Sequence, residues 1–182
     1  RIFSLDSGQS QVVEIIVAIP KELGAYTSKI IIQAGGIEKE LLLIITADSG
    51  WKLFDVILDI PSKYKEVKAG GVLPAKTVIF NLGEAGAVDV TVHYIIKDFD
   101  DQIILQTSET VAVETRATIV KDIVLPRNLE PGRYLLIMEV RYKDTVSVSS
   151  DTFVVVEGKE KSEAIRYLLL IITFIALFAL AF

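Results

Sequence analysis

Apolar and polar residues alternate along much of the chain, most clearly between residues 88 and 97. The apolar positions of this stretch are Val88, Val90, Val92, Tyr94 and Ile96. The polar positions are Asp89, Thr91, His93 and Lys97. Successive side chains of a strand point to opposite faces of a sheet. The pattern therefore predicts a strand with its apolar face on a core and its polar face in solvent.

Further strands of this kind are predicted throughout the region 51–157. They cover residues 54–60, 72–80, 103–107, 110–113, 119–125, 134–142 and 146–156. The alternation breaks at Ser149 and Ser150, which predicts a β-bulge there. About seven short strands separated by turns within about 105 residues are typical of one β-sandwich.

The first fifty residues supply only three predicted strands, at 12–19, 26–33 and 37–46, and three strands do not close a two-sheet core. Residues 15–26 nevertheless parallel residues 123–134, because each stretch runs from a strand through Pro, Leu and Gly to a tyrosine, Tyr26 or Tyr134. Such self-similarity indicates an array of like domains. We predict that residues 1–48 are the C-terminal half of one sandwich and residues 49–157 a complete one. A chain that opens in mid-domain is expected to be a piece of a longer protein.

Two local motifs resemble immunoglobulin-like domains. Tyr26 and Tyr134 stand where such sandwiches have a tyrosine corner, whose hydroxyl bonds back to the preceding loop. The sequences LDSGQS at 5–10, AGG at 69–71 and KTVIFNLGEAGAVDVTV at 76–92 resemble bacterial and archaeal Ig-like surface repeats of the CARDB-like and glycosidase-associated types. The resemblance implies an Ig-like fold and a surface-exposed module that is adhesive or acts as a spacer. It brings no catalytic residues.

The last residues form an apolar run at 167–182 without charge, Gly or Pro. At about 1.5 Å per residue a helix of this run is about 24 Å long, somewhat short of a bilayer core of about 30 Å. We predict a truncated transmembrane helix at 167–182 behind a polar linker at 158–166. The expected fold class is therefore an all-β Ig-like sandwich, one complete and one partial, followed by a single transmembrane α-helix. The expected localisation is the cell membrane, single-pass, with an extracellular N-terminal ectodomain and a cytoplasmic C-terminus.

Composition narrows the expected partners. The net charge is −5, from 24 acidic and 19 basic residues, and neither sign clusters, so no nucleic-acid partner is predicted. Cysteine is absent, so stability must come from packing rather than from disulfides. The predicted partners are the lipid bilayer and other surface or membrane proteins. No cofactor is expected, nor a small-molecule ligand.

The single histidine and an acidic stretch after residue 97 are candidates for chemistry. His93 has no second histidine and no cysteine to pair with, so a solvated strand residue is favoured over a zinc or triad role. Asp98, Asp100 and Asp101 are carboxylates that Ca²⁺ would accept. A polar hairpin tip is favoured, because no Gly or distal Glu completes a known calcium loop.

For the other residues that could carry chemistry, a structural role is also favoured. Asp55 and Asp59 share one strand face about 13 Å apart, too far for a glycosidase acid/base pair. Trp51 follows a turn between the two predicted domains, so packing at this hinge is favoured over a sugar-binding platform. The glycine pairs at 35–36 and 70–71 are expected in turns rather than in a phosphate cradle. We therefore predict no catalytic, cofactor-binding or metal-binding residue, and no enzyme.

The sequence favours a membrane-anchored surface stalk with a structural or adhesive role in the cell envelope, of which an S-layer or filament anchor is one version. Two alternatives stay open. The chain is an accessory single-pass subunit of a membrane complex, or it anchors an upstream enzyme domain.

Overall fold

The structure, a computed structural model, describes residues 4–18, 21–83 and 86–157. A two-stranded sheet comes first, the hairpin formed by β1 (Gly24–Ala34) and β2 (Ile37–Ala47). The strands that follow are β3 (Phe54–Asp59), β4 (Glu66–Lys68), β5 (Val72–Asn81), β6 (Val88–Lys97), β7 (Ile103–Val113), β8 (Arg116–Val124), β9 (Gly132–Tyr142) and β10 (Thr145–Val156). A single 3-10 turn at Ser62–Tyr64 precedes β4. The described part of the chain is thus all-β, as the alternating patterns predicted.

Two sheets form a sandwich. One has the order β4-β10-β9-β6-β7 and the other the order β3-β5-β8. All neighbours are antiparallel except β4 and β10, which run parallel. β4 is only three residues long, and no alternating pattern marked it in the sequence.

The core lies between the two sheets and follows the predicted alternation. In β6, Val90, Val92, Tyr94 and Ile96 are at most 1% exposed. In β9, the alternate apolar positions Leu136 and Met138 are fully buried as well. These side chains pack against those of the three-stranded sheet in one cluster. Period-two patterning therefore positions most of the core.

The predicted bulge at Ser149 and Ser150 is wrong, because β10 pairs with β9 in one unbroken register. The polar residues of β10 instead face the open edge of β3. Ser149 Oγ accepts a hydrogen bond from the Leu58 amide at 3.0 Å, and Asp151 accepts one from the Ile60 amide at 2.8 Å. Unpaired amides at a sheet edge invite pairing with other chains. Here side chains satisfy them, which explains why polar residues interrupt an otherwise apolar strand.

The structure differs from the predicted strands at two other places. The predicted strands at 103–107 and 110–113 are one strand, β7. The predicted strand at 12–19 is absent from the described residues of that stretch, 12–18, which lie beside no partner strand.

Both predicted tyrosine corners are confirmed. The hydroxyl of Tyr26 donates to the Glu22 carbonyl at 2.8 Å, and the hydroxyl of Tyr134 donates to the Glu130 carbonyl at 2.9 Å. Each bond closes the loop that leads into a hairpin, β1–β2 in the first case and β9–β10 in the second.

The predicted fold class is wrong in its transmembrane helix. Within residues 4–18, 21–83 and 86–157 there is no α-helix, and hence none long and apolar enough to cross a membrane. The predicted single-pass membrane localisation was derived from that helix, and it is therefore not supported either. The linker at 158–166 and the helix at 167–182 lie outside the described residues. The predicted division at residues 48 and 49 stays a prediction.

Candidate functional site

The most developed site of the described chain is the junction at which the hairpin meets the sandwich. The start of β1 lies over the outer face of the five-stranded sheet. Leu23 and Ala25 pack there on apolar side chains of β6, β9 and β10, which are Ile95, Leu135, Ile137, Val146 and Val148. These residues form a second apolar cluster separate from the sandwich core. Removing apolar surface from water stabilises the contact without specifying a direction.

A polar network beside this cluster gives the contact its direction. Lys97 is only 8% exposed. Its ammonium donates to the Ala25 carbonyl at 3.0 Å and to Asp101 at 2.9 Å. Asp101 also accepts a hydrogen bond from the Thr27 amide at 3.1 Å. The Thr27 hydroxyl donates a hydrogen bond to the Asp98 carbonyl at 2.6 Å. We call Thr27, Lys97 and Asp101, together with these two carbonyls, the junction network.

The acidic loop between β6 and β7 is built to present Asp101 to the hairpin. Asp98 Oδ1 accepts hydrogen bonds from the backbone amides of Asp100 and Gln102, both at 2.9 Å. These two bonds hold the loop in a tight turn. Asp101 then adopts a left-handed backbone with φ of 63°, a conformation that Asp tolerates better than most residues. The β6–β7 register shifts at Ile96 and Lys97 next to this loop.

Electrostatics favour a charged Asp101 in this arrangement. Burial alone would raise its pKa, but the hydrogen bonds from Lys97 and from Thr27 outweigh burial and hold the pKa below the ordinary value. Asp100 forms a separate ion pair with Lys29 at 2.9 Å. The three carboxylates of the loop therefore have different partners: the loop's own amides for Asp98, Lys29 for Asp100, and Lys97 with Thr27 for Asp101. No group of His, Asp or Glu side chains that could hold a metal ion occurs within the described ranges.

A second contact of the junction requires glycine. Gly24 opens β1 with φ of 150°, and a Cβ there would lie 2.9 Å from Glu139 Oε1. Glu139 is 6% exposed and is held by Arg141 at 2.6 Å. His93, which pairs with Glu139 across β6 and β9, lines the same cleft of about 370 Å³. His93 is therefore half-buried beneath the hairpin and not a freely solvated strand residue.

The other residues that the sequence analysis considered for chemistry lie apart from the junction network. Asp55 and Asp59 are exposed on β3, as its alternation predicted. The hinge packing predicted for Trp51 is wrong, because its side chain is 87% exposed. The alternative of a sugar-binding platform at Trp51, which the sequence did not favour, is untested by the structure. The glycines at 35–36 form the two-residue turn of the hairpin, and those at 70–71 lie in the loop before β5.

A polar cluster inside the sandwich is distinct from the junction. The Tyr94 hydroxyl and the Thr77 hydroxyl are buried and make no hydrogen bond of good geometry in the described chain, although the Tyr94 hydroxyl lies close to Thr77 and to Glu109. Glu109 and Lys121 pair at 3.2 Å across the open edge between β7 and β8, and the Lys121 ammonium lies 4.9 Å from the Tyr94 ring centre. Burial and, to a smaller extent, the Glu109 carboxylate raise the pKa of Tyr94 to about 12. None of these four residues lines the cleft beside the hairpin, and we assign the cluster to the packing of the core.

No family model and no curated protein matches the chain. Solved structures similar to it include a family 123 glycoside hydrolase from Clostridium perfringens, with 13% identity and a TM-score of 0.44 over 59% of this chain and 28% of that one. The CARDB domain of a Pyrococcus furiosus protein, in complex with di-metal ions, has 15% identity and a TM-score of 0.41 over 57% of this chain and 87% of that one. A β-glucosidase from Listeria innocua has 17% identity and a TM-score of 0.40 over 53% of this chain and 15% of that one. The chain thus spans less than a third of either hydrolase, and likenesses of this strength carry no argument about its chemistry.

Proposed function

We propose that this protein is a structural spacer, in which an Ig-like sandwich holds a second β-unit at a fixed orientation. The observation that supports this role most directly is the junction network. An apolar patch alone permits sliding, whereas hydrogen bonds to Lys97, Asp101 and Thr27 are satisfied in one arrangement only. Breaking the network leaves the buried Lys97 ammonium without its carboxylate, which is strongly unfavourable.

The sandwich itself is suited to such a role. Side chains of β10 accept hydrogen bonds from the Leu58 and Ile60 amides at the open edge of β3, so these two amides are not free to pair with other chains. The partners of a spacer are other protein domains. The lipid bilayer was predicted as a partner from the helix alone and is not carried forward.

Rigidity of the junction is the property to test. The chain has no cysteine, so Lys39→Cys on the hairpin and Val120→Cys on β8 would take two spin labels and nothing else would be labelled. We expect a single narrow distance distribution by double electron–electron resonance. Asp101→Ala should broaden it, because Lys97 then loses its charged partner.

Asp55→Ala is the matched control, since Asp55 is an exposed aspartate on a strand of the same sandwich. It should leave the distribution narrow. A broad distribution in the otherwise unchanged chain would refute the spacer role. So would a distribution that Asp101→Ala leaves as narrow as before.

A further inference from the structure

One face of the hairpin is apolar and uncovered. Ala25 and Thr27 face the sandwich, so the alternate positions of β1 and their cross-strand partners in β2 face away from it. We call these residues the open face: Ile30, Ile32, Leu41, Leu43 and Ile45. Ile32 is 48% exposed and Leu41 is 43% exposed, whereas Ile30, Leu43 and Ile45 are partly buried. Beyond the junction the opposite face is exposed as well, with Ile31 at 55% and Ile44 at 40%. A two-stranded hairpin with an uncovered apolar face is marginally stable alone.

The hairpin repeats β9–β10 residue for residue at a spacing of 108 positions. Tyr26 pairs with Ile45 in β1–β2, and Tyr134 pairs with Phe153 in β9–β10. Both hairpins turn through two residues, at 35–36 and at 143–144, and both begin at a tyrosine corner. The register is therefore the same in the two units, and each position of one has a defined counterpart in the other.

This correspondence shows what covers such a face. The counterparts of Tyr26, Ile30, Ile32 and Ile45 are Tyr134, Met138, Val140 and Phe153. All four counterparts are at most 7% exposed. They belong to the core that the sheet β3-β5-β8 closes.

We propose that the open face is the inner wall of a second sandwich, and that its occupant is an apolar antiparallel sheet like β3-β5-β8. The inference rests on strand register and exposure, and it holds whether or not the protein is a spacer.

Residues 9–17 supply an independent observation, because at the same spacing they correspond to β8 and its exit at 117–125. Val12 and Ile16 are 91% and 89% exposed, like their outward counterparts in β8. Val13, Ile15 and Val17 are less exposed, at 39%, 53% and 43%. These residues pair with no other strand, but the alternation of their exposure matches the two-residue period of a strand. Residues 9–17 thus take the place of β8 at the edge of the occupant sheet.

The chain itself provides the probe. A second copy of residues 49–115, which contain β3 to β7, is fused to the N-terminal side of Gly8. In this fusion the copy precedes residues 8–47, just as the original residues 49–115 precede residues 116–155. Hydrogen exchange is then compared between this fusion and the unfused chain. We expect the amides of residues 24–47 to exchange at least about tenfold more slowly in the fusion, and those of residues 9–17 to become protected.

Two neighbouring substitutions in the fusion make the test specific. Ile15→Lys places a charge on the inward face and should abolish the protection. Ile16→Lys places the same charge outward and should leave the protection unchanged. A fusion without added protection would overturn the proposal, as would equal effects of the two lysines.

A different occupant would also be detected in the unfused chain. A dimer by sedimentation that Ile32→Lys dissociates would assign the open face to a second copy. Binding to phosphatidylcholine vesicles that Ile32→Lys removes would assign it to lipid. Either result would overturn the proposal, and a monomer without vesicle binding agrees with it.

Discussion

The buried hydroxyl of Tyr94 predicts a distinctive response of stability to alkaline pH. Tyr94 is 1% exposed, and its pKa is raised to about 12 from an ordinary value of 10.0. The folded state therefore holds the proton more tightly than the unfolded state. The stability that follows is complete below pH 10 and is lost as the pH rises from 10 towards 12.

The magnitude follows from the shift. Two pKa units at about 1.4 kcal/mol each correspond to about 2.7 kcal/mol when the loss is complete. At pH 11 the unfolded tyrosine is mostly ionised and the folded one is not, so about half of this, roughly 1.4 kcal/mol, is lost. Tyr94→Phe removes the effect. At pH 7 the same substitution should change the free energy of unfolding by no more than about 1 kcal/mol, because the buried hydroxyl that it deletes makes no hydrogen bond of good geometry.

Urea unfolding of the wild-type chain and of Tyr94→Phe between pH 7 and pH 11.5 measures this difference. Lysines and other tyrosines titrate in the same range, but they contribute to both proteins and cancel in the comparison. Tyr64→Phe is the matched control, because that ring is 36% exposed. Parallel stability profiles for the wild type and Tyr94→Phe above pH 10 would refute the reasoning.

Three further predictions concern the hairpin and the β3 edge. Gly24→Ala should destabilise the docked hairpin by about 1–3 kcal/mol in hydrogen exchange, whereas Gly50→Ala, with open space around its Cβ, should change little. Ser149→Ala should lower the free energy of urea unfolding by about 1–2 kcal/mol, because a buried amide of β3 loses its acceptor; the exposed Ser108→Ala should stay within about 0.5 kcal/mol. Since the pKa of Asp101 lies below its ordinary 3.8, docking should be complete above about pH 4 and weaken as the pH falls through the lowered value. A spin-label distance that stays narrow at pH 2 would contradict this.

The sequence predicted the parts of the fold that depend on local alternation. The inward face of β6 and of β9 followed from period-two patterning, and the corners at Tyr26 and Tyr134 followed from their repeated Pro, Leu and Gly context. Ser149 misled the interpretation, because a polar residue in a buried strand looks like a break in pairing. Its real cause is a contact with β3, which lies about ninety residues earlier and leaves no trace in the local pattern.

The junction was missed for a related reason. Lys97 stands on the polar face of β6, and alternation alone predicts a solvated side chain there. A hairpin that begins more than seventy residues earlier covers it. A signal was nevertheless present, since Leu135 and Ile137 are apolar on the outward face of β9, where Glu139 and Arg141 are polar. An apolar pair on a face assigned to solvent indicates that another element packs there.

The two parts of the junction have different physical roles. The contact of Leu23 and Ala25 with the outer sheet removes apolar surface from water, and this supplies attraction that is nearly independent of angle. The network of Lys97, Asp101 and Thr27 adds hydrogen bonds that fail when the hairpin rotates. A lysine is a poor choice for attraction alone, because an apolar side chain of similar size would stabilise the contact at lower desolvation cost. We therefore infer that Lys97 is buried because it fixes orientation, and Lys97→Met should keep the hairpin docked while broadening its angle.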